Sequence, residues 1–158
     1  MIVCQFESGN KAKLRHVVTG ALIEKSGQLL LVKRAADTTE GGKYSWPGGY
    51  LEQGENIAQG LLREVKEETG YEGKIISLFS INDNPQRDMG NVDFIFLVKP
   101  LKKIGKHDKE ISSIHWFVLD KLPPKNQIAF DHAETIQLYL RWRKEKFKLP
   151  LIEKSNLF

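Results

Sequence analysis

The chain has 158 residues, 41% of them hydrophobic, and a formal net charge of +4, so we expect one globular domain spanning residues 1–158. Its only cysteine, Cys4, excludes an internal disulfide framework and is compatible with a reducing compartment. Because no apolar stretch approaches the length of a membrane span and the first residues lack a signal-peptide core, we expect a soluble cytoplasmic protein without membrane partners.

The first half of the chain predicts strands followed by a helix, and two of these strands have clear bounds. Residues 15–24 are apolar and rich in β-branched side chains, and residues 28–34 form a nearly continuous apolar run. Such a run is typical of a central strand that is covered on both faces. Asn56 as N-cap, Gln59 three residues later and Gly70 as the stop then predict the first helix.

The second half predicts three more strands and a second helix. The strands are residues 74–81, 91–99 and 111–119, and a polar loop rich in turn residues separates the first two. Asp131 and Glu134 have capping-box spacing and predict a helix that ends near residue 146. We read the overall order as β-β-β-α-β-β-β-α. This order fits the α/β class, as an α/β/α sandwich with a mixed β-sheet.

The first predicted helix has an apolar face and an acidic face. At about 100° per residue, its apolar side chains share an arc of roughly 140° that we expect to face the core. These are Ile57, Ala58, Leu61, Leu62 and Val65. Glu64, Glu67 and Glu68 share a second narrow face, with Glu68 at the edge of the apolar stripe. Arg63 points to another side of the wheel, so we expect that it cannot neutralise all three carboxylates.

This acidic face suggests a metal site. Like charges at these spacings repel one another, and partial burial raises that cost unless a counter-ion is present. Clustered oxygen ligands suit Mg²⁺ or Mn²⁺. The alternative is a solvated acidic helix face without a ligand.

Residues 49–71 resemble the signature of the Nudix hydrolase superfamily. The match is glycine, five residues, glutamate, seven residues, then Arg-Glu-aliphatic-any-Glu-Glu-any-Gly; only Tyr71, where the family prefers an aliphatic residue, departs. The resemblance implies the Nudix fold and implies Mg²⁺, with Mn²⁺ as a substitute. The implied ligands are Glu64, Glu67, Glu68 and the carbonyl of Gly48. It also implies that Arg63 and Glu55 orient one another and the ligands, and that Arg63 and the three ligand glutamates are catalytic.

A second resemblance concerns substrate binding. Arg34-Ala35-Ala36-Asp37, followed nine residues later by Trp46-Pro47-Gly48-Gly49, is similar to MutT-like nucleoside triphosphate pyrophosphohydrolases. It implies that Arg34 contacts substrate phosphate and that Trp46 lies near the nucleoside. The alternatives are a solvated arginine at a strand end and a tryptophan in the core, and we favour the core for Trp46.

Three more residues are weaker candidates. Glu110 matches an extra acid that many Nudix proteins use as metal ligand or base, although a solvated loop acid is an equal alternative. Asp83 and Arg87 are candidates for the rim of the nucleoside pocket, although turn chemistry alone explains Asp83.

The resemblance implies a Mg²⁺-dependent hydrolase that cleaves a diphosphate linkage in a nucleoside triphosphate by water attack at phosphorus. The MutT-like resemblance suggests nucleotide-pool sanitation as its role. ADP-ribose or another nucleoside diphosphate derivative is the alternative substrate, because residues 130–134 resemble a segment of some ADP-ribose-hydrolysing Nudix proteins. A nucleotide sensor without turnover is the alternative of another class, disfavoured because the box acids are intact. We expect a small nucleotide as the binding partner and a monomer or homodimer.

The C-terminal helix and tail, about residues 131–158, are basic. Residues 141–148 hold five basic side chains together with Trp142 and Phe147, a composition compatible with nucleic-acid contact. Cations that solubilise the exposed end of a helix explain the same pattern. We therefore expect no nucleic-acid partner.

Overall fold

The computed structural model describes residues 2–83 and 90–154, and within these ranges it contains ten strands, two α-helices and one short 3₁₀ turn. The strands are β1 (Ile2–Gln5), β2 (Lys11–Leu14), β3 (Val17–Lys25), β4 (Gln28–Arg34), β5 (Tyr44–Ser45), β6 (Gly48–Tyr50), β7 (Tyr71–Asp83), β8 (Val92–Lys103), β9 (Ile111–Val118) and β10 (Leu151–Lys154). The helices are α1 (Ile57–Thr69) and α2 (His132–Glu145), and the 3₁₀ turn is Lys125–Gln127.

Eight of these strands form one mixed sheet, which confirms the predicted sheet type. Strands β10, β7, β8, β3, β4 and β5 are successive neighbours, while β6 pairs with β3 and β9 pairs with β4. The β3–β8 and β10–β7 pairs are parallel, and the other pairs are antiparallel. Strands β1 and β2 form a separate antiparallel hairpin.

Strand β4 shows why the fold has three layers. Its residues Leu29 and Leu31 belong to the core that includes Ile136 of α2, whereas Leu30 and Val32 belong to the core that includes Leu61 of α1. All four β4 side chains are fully buried. Successive side chains of a strand point to opposite faces, so a strand covered by a helix on each side needs a continuous apolar run. The predicted α/β/α sandwich is therefore confirmed.

Helix α1 begins and ends as predicted. The Asn56 side chain accepts a hydrogen bond from the Gln59 amide, and the Gln59 side chain accepts one from the Asn56 amide, both at 2.9 Å. This reciprocal pair is a capping box. At the other end Gly70 adopts a left-handed conformation, with φ of 71°, and its N–H bonds to the Lys66 carbonyl. Glycine takes this conformation without steric cost.

Two details of the helices were predicted wrongly. Ala58 is exposed rather than buried, because the buried residues of α1 begin only at Gly60, after its first turn. The expected capping box of α2 does not form, since no side-chain hydrogen bond caps its first turn. The carboxylate of Asp131 instead accepts a hydrogen bond at 3.1 Å from the side chain of Asn82 on β7.

The sequence analysis did not predict several of the short strands. Strands β1, β2, β5, β6 and β10 have four residues or fewer, so each is too short to show a clear alternation of apolar and polar residues. Strand β7 begins at Tyr71, directly after the C-cap of α1, and is longer than predicted. Tyr71 packs edge-on against Trp116, with ring centroids 6.1 Å apart.

In the described residues, no helix is long and apolar enough to cross a membrane.

Candidate active site

The acidic face of α1 borders a cleft of about 410 Å³ that brings together most of the charged residues singled out above. Seven carboxylates line it, from Glu52, Glu64, Glu67, Glu68, Asp93, Asp108 and Glu110, and two arginines, Arg34 and Arg63, face them. A larger groove of about 670 Å³ follows α2, but among the described residues Glu134 is its only acid. The cleft is therefore the candidate site, because it concentrates negative charge that a cation would offset.

Glu68 is the most deeply buried acid of the cleft. Its residue surface is 5% exposed, and one carboxylate oxygen accepts a hydrogen bond of 2.8 Å from the Gly48 amide. Burial raises the pKa of Glu68 to about 8, the Gly48 hydrogen bond opposes that rise, and the nearby carboxylate of Glu64 adds to it. A buried carboxylate with this pKa gains most from a neighbouring cation.

Arg63 joins the loop before α1 to the acidic helix face. Its Nε and Nη2 donate to both oxygens of Glu55, at 2.7 and 3.1 Å, and its Nη1 reaches Glu64 at 2.8 Å and Glu67 at 3.0 Å. The hydrogen bond with Glu55 is the main cause of a raised Arg63 pKa, and it lowers the pKa of Glu55. Arg63 was expected to point to another side of the helix, but its side chain contacts two of the three glutamates, Glu64 and Glu67. Arg63 forms no hydrogen bond with the third glutamate, Glu68, so it does not neutralise all three, as expected.

The turn before α1 lies close to the Glu64 carboxylate, because the residue nearest to it, Gly49, has no side chain. A Cβ atom on Gly49 would lie 2.6 Å from the nearer carboxylate oxygen of Glu64. Any larger residue would therefore displace Glu64 from its place against β6. Burial also raises the pKa of Glu64, which Arg63 opposes and the nearby Glu67 and Glu110 reinforce.

The donor chemistry fits a hard divalent cation, although the ligands are not gathered in advance. The acids of the α1 face offer oxygen atoms only, as Mg²⁺ and Mn²⁺ prefer. Within the described ranges, however, no three histidine, cysteine or acidic side chains already stand in a metal-binding arrangement. The cause is visible in the contacts: Arg63 engages Glu64 and Glu67, while Glu68 turns to the Gly48 amide.

The predicted substrate residues Arg34 and Trp46 both line the cleft. Arg34 is half-buried, its Nε donates to the Thr39 carbonyl at 2.7 Å, and its guanidinium lies 5.3 Å from the centre of the Phe130 ring. Trp46 is buried and stacks on His132, with ring centroids 3.6 Å apart. Trp46 therefore belongs to the core, as favoured above, and it also lines the cleft.

The weaker candidates have different locations. Glu110 is exposed and lines the cleft near Glu64. Asp83 is not among the described residues that line the cleft, and its carboxylate forms an ion pair of 2.5 Å with Arg15. Arg87 lies outside the described residues. The carbonyl of Gly48 stays a predicted ligand, and the Gly48 amide is its contact with the acidic face.

Among the polar residues of the cleft that the sequence analysis missed are Asn91, Asp93 and Asp108. Asn91 and Asp93 are two residues apart at the start of an apolar strand, so they share one face of it. Buried polar side chains at this spacing were the available clue. Asp108 is brought to the cleft by a backbone hydrogen bond of 2.8 Å to the carbonyl of Glu67. Nothing local to residues 104–110 indicates that contact.

The basic C-terminal segment makes contacts within the protein. Arg143 and Tyr139 both bind the carboxylate of Glu24 on β3. Lys146 lies over the ring of Trp142, 4.4 Å from its centroid, and Trp142 packs against the core. These contacts favour the structural explanation of the basic residues over nucleic-acid binding.

Comparisons of the sequence and of the structure with known proteins agree on one family. The profile of the NUDIX domain matches residues 13–139. The chain is 34% identical to an ADP-ribose pyrophosphatase of Methanocaldococcus jannaschii over 80% of this chain and 74% of that protein. It is 31% identical to a MutT-like protein of Streptomyces ambofaciens over 66% of this chain, and it spans 64% of that relative's length. A NUDIX hydrolase from Nitrosomonas europaea superposes with a TM-score of 0.77 at 24% identity, covering 91% of this chain and 81% of that one, and so shares the fold.

Proposed function

The chain belongs to the Nudix hydrolase superfamily, and from this premise we propose that its cleft hydrolyses a diphosphate linkage in a nucleotide with the help of a divalent metal. As a member of this family it is a hydrolase of phosphorus-containing anhydrides. The observation that carries the proposal is the group of seven carboxylates in one cleft, with the buried Glu68 among them and Arg34 facing them. A diphosphate needs both a cation and a cationic side chain to offset its charge.

The roles of the side chains follow from their contacts. Glu64, Glu67, Glu68 and the Gly48 carbonyl would hold Mg²⁺ or Mn²⁺, which supplies charge neutralisation at phosphate and a more acidic water. Glu55 holds Arg63 through two hydrogen bonds, and Arg63 in turn orients two of the acids, so both are positioning residues.

Two further residues act on substrate or water. Arg34 has a planar guanidinium at the cleft wall, which suits contact with two phosphate oxygens. Glu110 is exposed beside Glu64 and is the proposed acceptor of the proton that the attacking water releases. Water attack at phosphorus would then break the P–O bond of the diphosphate, and the leaving phosphate would carry away the electron pair.

Two substrate classes are supported by different observations. ADP-ribose is the first candidate, because a relative with that activity in its name is 34% identical over 80% of this chain. The segment of residues 130–134, which resembles some ADP-ribose-hydrolysing proteins, lies beside the cleft through Phe130 and His132. A nucleoside triphosphate is the second candidate, because Arg34 lines the cleft as the MutT-like resemblance requires and a MutT-like relative is 31% identical.

A nucleotide panel with product analysis tests the proposal. We expect hydrolysis only with Mg²⁺ or Mn²⁺, loss of activity in EDTA and recovery when either ion is added back. ADP-ribose should give AMP and ribose 5-phosphate, whereas a triphosphate substrate should give the nucleoside monophosphate and pyrophosphate. Full activity in a metal-free preparation would contradict the metal site. Tight nucleotide binding without turnover of any substrate would instead support the sensor alternative.

A further inference from the structure

The β8 wall of the cleft contains a buried polar pair that the metal chemistry does not use. Asn91 and Asp93 both line the cleft, and their residue surfaces are only 8% and 2% exposed. The Asn91 Nδ2 donates a hydrogen bond of 2.7 Å to Asp93 Oδ1. The amide nitrogen of Asn91 thus faces Asp93, and this contact sets the orientation of the Asn91 amide.

That orientation leaves an acceptor available to a ligand. The Asn91 Oδ1 atom is buried and has no hydrogen-bond partner among the residues that the structure describes. Trp46 also lines the cleft, and its buried Nε1 donor likewise lacks a partner within residues 2–83 and 90–154. Buried polar atoms are nearly always satisfied, so a donor and an acceptor left in one cleft indicate a ligand that completes both. Among the described residues, the hydroxyls of Thr19 and Ser80 are similarly placed in the core but do not line the cleft.

An aromatic surface stands at the rim of the same cleft. The Phe130 residue is 40% exposed, and its φ of 53° is rare for a bulky side chain. The guanidinium of Arg34 and the ring of His132 each lie 5.3 Å from the Phe130 ring centre. These contacts hold the ring beside the cleft, where a flat ligand can pack against it.

We propose that Asn91, oriented by Asp93, recognises the nucleobase of the substrate. Its Oδ1 accepts a hydrogen bond from the base edge, and Trp46 Nε1 donates to a neighbouring acceptor on that edge. Nucleobases present a donor beside an acceptor on a rigid flat ring, which matches both the polar atoms and the aromatic rim. The inference rests on the proposed function and assigns the specificity-determining residue of that same cleft.

Arg15 positions this recognition residue. Its Nη2 donates to the Asn91 carbonyl and its Nε to the Gly90 carbonyl, both at 2.9 Å, while its Nη1 pairs with Asp83. One guanidinium thus links the end of β7 to the start of β8. The backbone of Asn91 is therefore held independently of any ligand.

Isothermal titration with nucleotides tests the assignment. The probes are AMP, GMP, CMP and UMP, with ribose 5-phosphate as the probe that lacks a base, each in Mg²⁺. We expect the wild type to bind at least one nucleotide more tightly than ribose 5-phosphate. Asn91→Leu should raise the Kd of that nucleotide by about tenfold or more and leave the Kd of ribose 5-phosphate unchanged. Ser80→Ala, the matched control, removes a buried unpartnered hydroxyl outside the cleft and should alter neither Kd.

Asp93→Asn gives a readout that simple misfolding cannot imitate. An asparagine at 93 can donate to Asn91 Oδ1, so the Asn91 amide can invert and present a donor. The rank order of the four nucleotides should then change. The inference is overturned if folded Asn91→Leu and Asp93→Asn both keep the wild-type Kd values, or if the wild type binds ribose 5-phosphate as tightly as every nucleotide. If thermal melting shows that Asn91→Leu is unfolded, Asp93→Asn alone decides.

Hydrolysis measured on the same samples separates the two proposals. Suppose the wild type binds nucleotides selectively but hydrolyses none, and Asn91→Leu loses the selectivity. This result would refute the proposed function and leave the recognition role intact. Metal-dependent hydrolysis with base preference unchanged in both variants would refute the recognition role alone.

Discussion

At the scale of single residues, the cleft divides its charges between two environments. Arg63 is surrounded by carboxylates, so its hydrogen bonds to Glu55, Glu64 and Glu67 keep it firmly charged. Glu68 lies deeper, beyond that guanidinium, and burial raises its pKa. The protein itself thus neutralises the outer acids, and the strongest demand for an added cation falls on Glu68.

Glu68→Gln should separate catalysis from folding. The amide is nearly isosteric but cannot supply an anionic ligand, so we expect kcat to fall at least about 100-fold, roughly 2.7 kcal/mol of transition-state stabilisation. Without metal, thermal stability should be unchanged or slightly higher, because the neutral amide avoids the cost of burying an ionisable carboxyl beside Glu64. Glu72→Gln, an exposed acid outside the cleft, is the matched control and should leave kcat unchanged. Near-normal turnover by Glu68→Gln would show that this acid is structural.

Glu55→Ala should weaken metal use without removing a proposed ligand. Arg63 would lose two of its hydrogen bonds and with them its fixed position over the acids. We expect the Mg²⁺ concentration for half-maximal activity to rise by about 10–100-fold. A Mg²⁺ titration of the initial rate measures this, with the exposed neighbour Gln53→Ala as control. An unchanged Mg²⁺ requirement in Glu55→Ala would remove Glu55 from the positioning role.

At the scale of elements, α1 serves two functions on two faces. Leu61 and Val65 are fully buried against the sheet, while the acidic face borders the cleft. The Asn56 capping box and the Gly70 C-cap define where both faces begin and end. A shift of the helix by one residue would therefore move the packing and the acids together.

Leu61→Ala should harm stability rather than chemistry. The substitution removes a fully buried side chain and leaves a cavity, which costs about 2–5 kcal/mol of unfolding free energy. Denaturant unfolding measures the loss, and Leu62→Ala, a half-buried neighbour, should lose less. The folded fraction of Leu61→Ala should keep the same metal requirement. Loss of metal dependence with intact stability would mean that the two faces have been assigned to the wrong functions.

At the scale of the whole molecule, the cleft exists only when distant parts of the chain meet. Arg34 comes from β4, Glu68 from α1, Asp93 from β8 and Phe130 from the segment before α2. The tie between Glu24 on β3 and Arg143 on α2 helps to hold the second helix layer in place. Metal binding should therefore report on the folding of the whole domain.

Mg²⁺ should raise the melting temperature of the metal-free protein. Binding to the folded state alone adds about 2.7 kcal/mol at a concentration 100 times the Kd. For a domain of this size, that corresponds to a shift of roughly 5–10 °C. Thermal unfolding with Mg²⁺ or with NaCl of equal ionic strength measures it. Glu68→Gln should show a smaller shift, and an equal shift in both proteins would place the bound ion elsewhere.

Patterns local in the chain were enough to predict the central elements. The apolar run of β4, the Asn56–Gln59 capping box and the Gly70 stop each depend on contacts between near neighbours, and all three are confirmed. The spacing of residues 49–71 identified the family for the same reason, since the acids lie within one helix and its preceding loop. Short strands such as β5 and β6 were missed because their pairing partners lie elsewhere in the chain.

The sequence by itself determined the fold class, the family and the acidic helix face, because periodicity, capping and motif spacing act over a few residues. Only the tertiary structure decided which groups meet that face. Glu68 contacts Gly48 across 20 positions, and Asp83 is taken up by Arg15 across 68. Asn91 and Asp93 look like ordinary strand residues until β8 lies beside β3 and forms the wall of the cleft. Contacts of this kind follow from packing the layers together, and no local pattern encodes them.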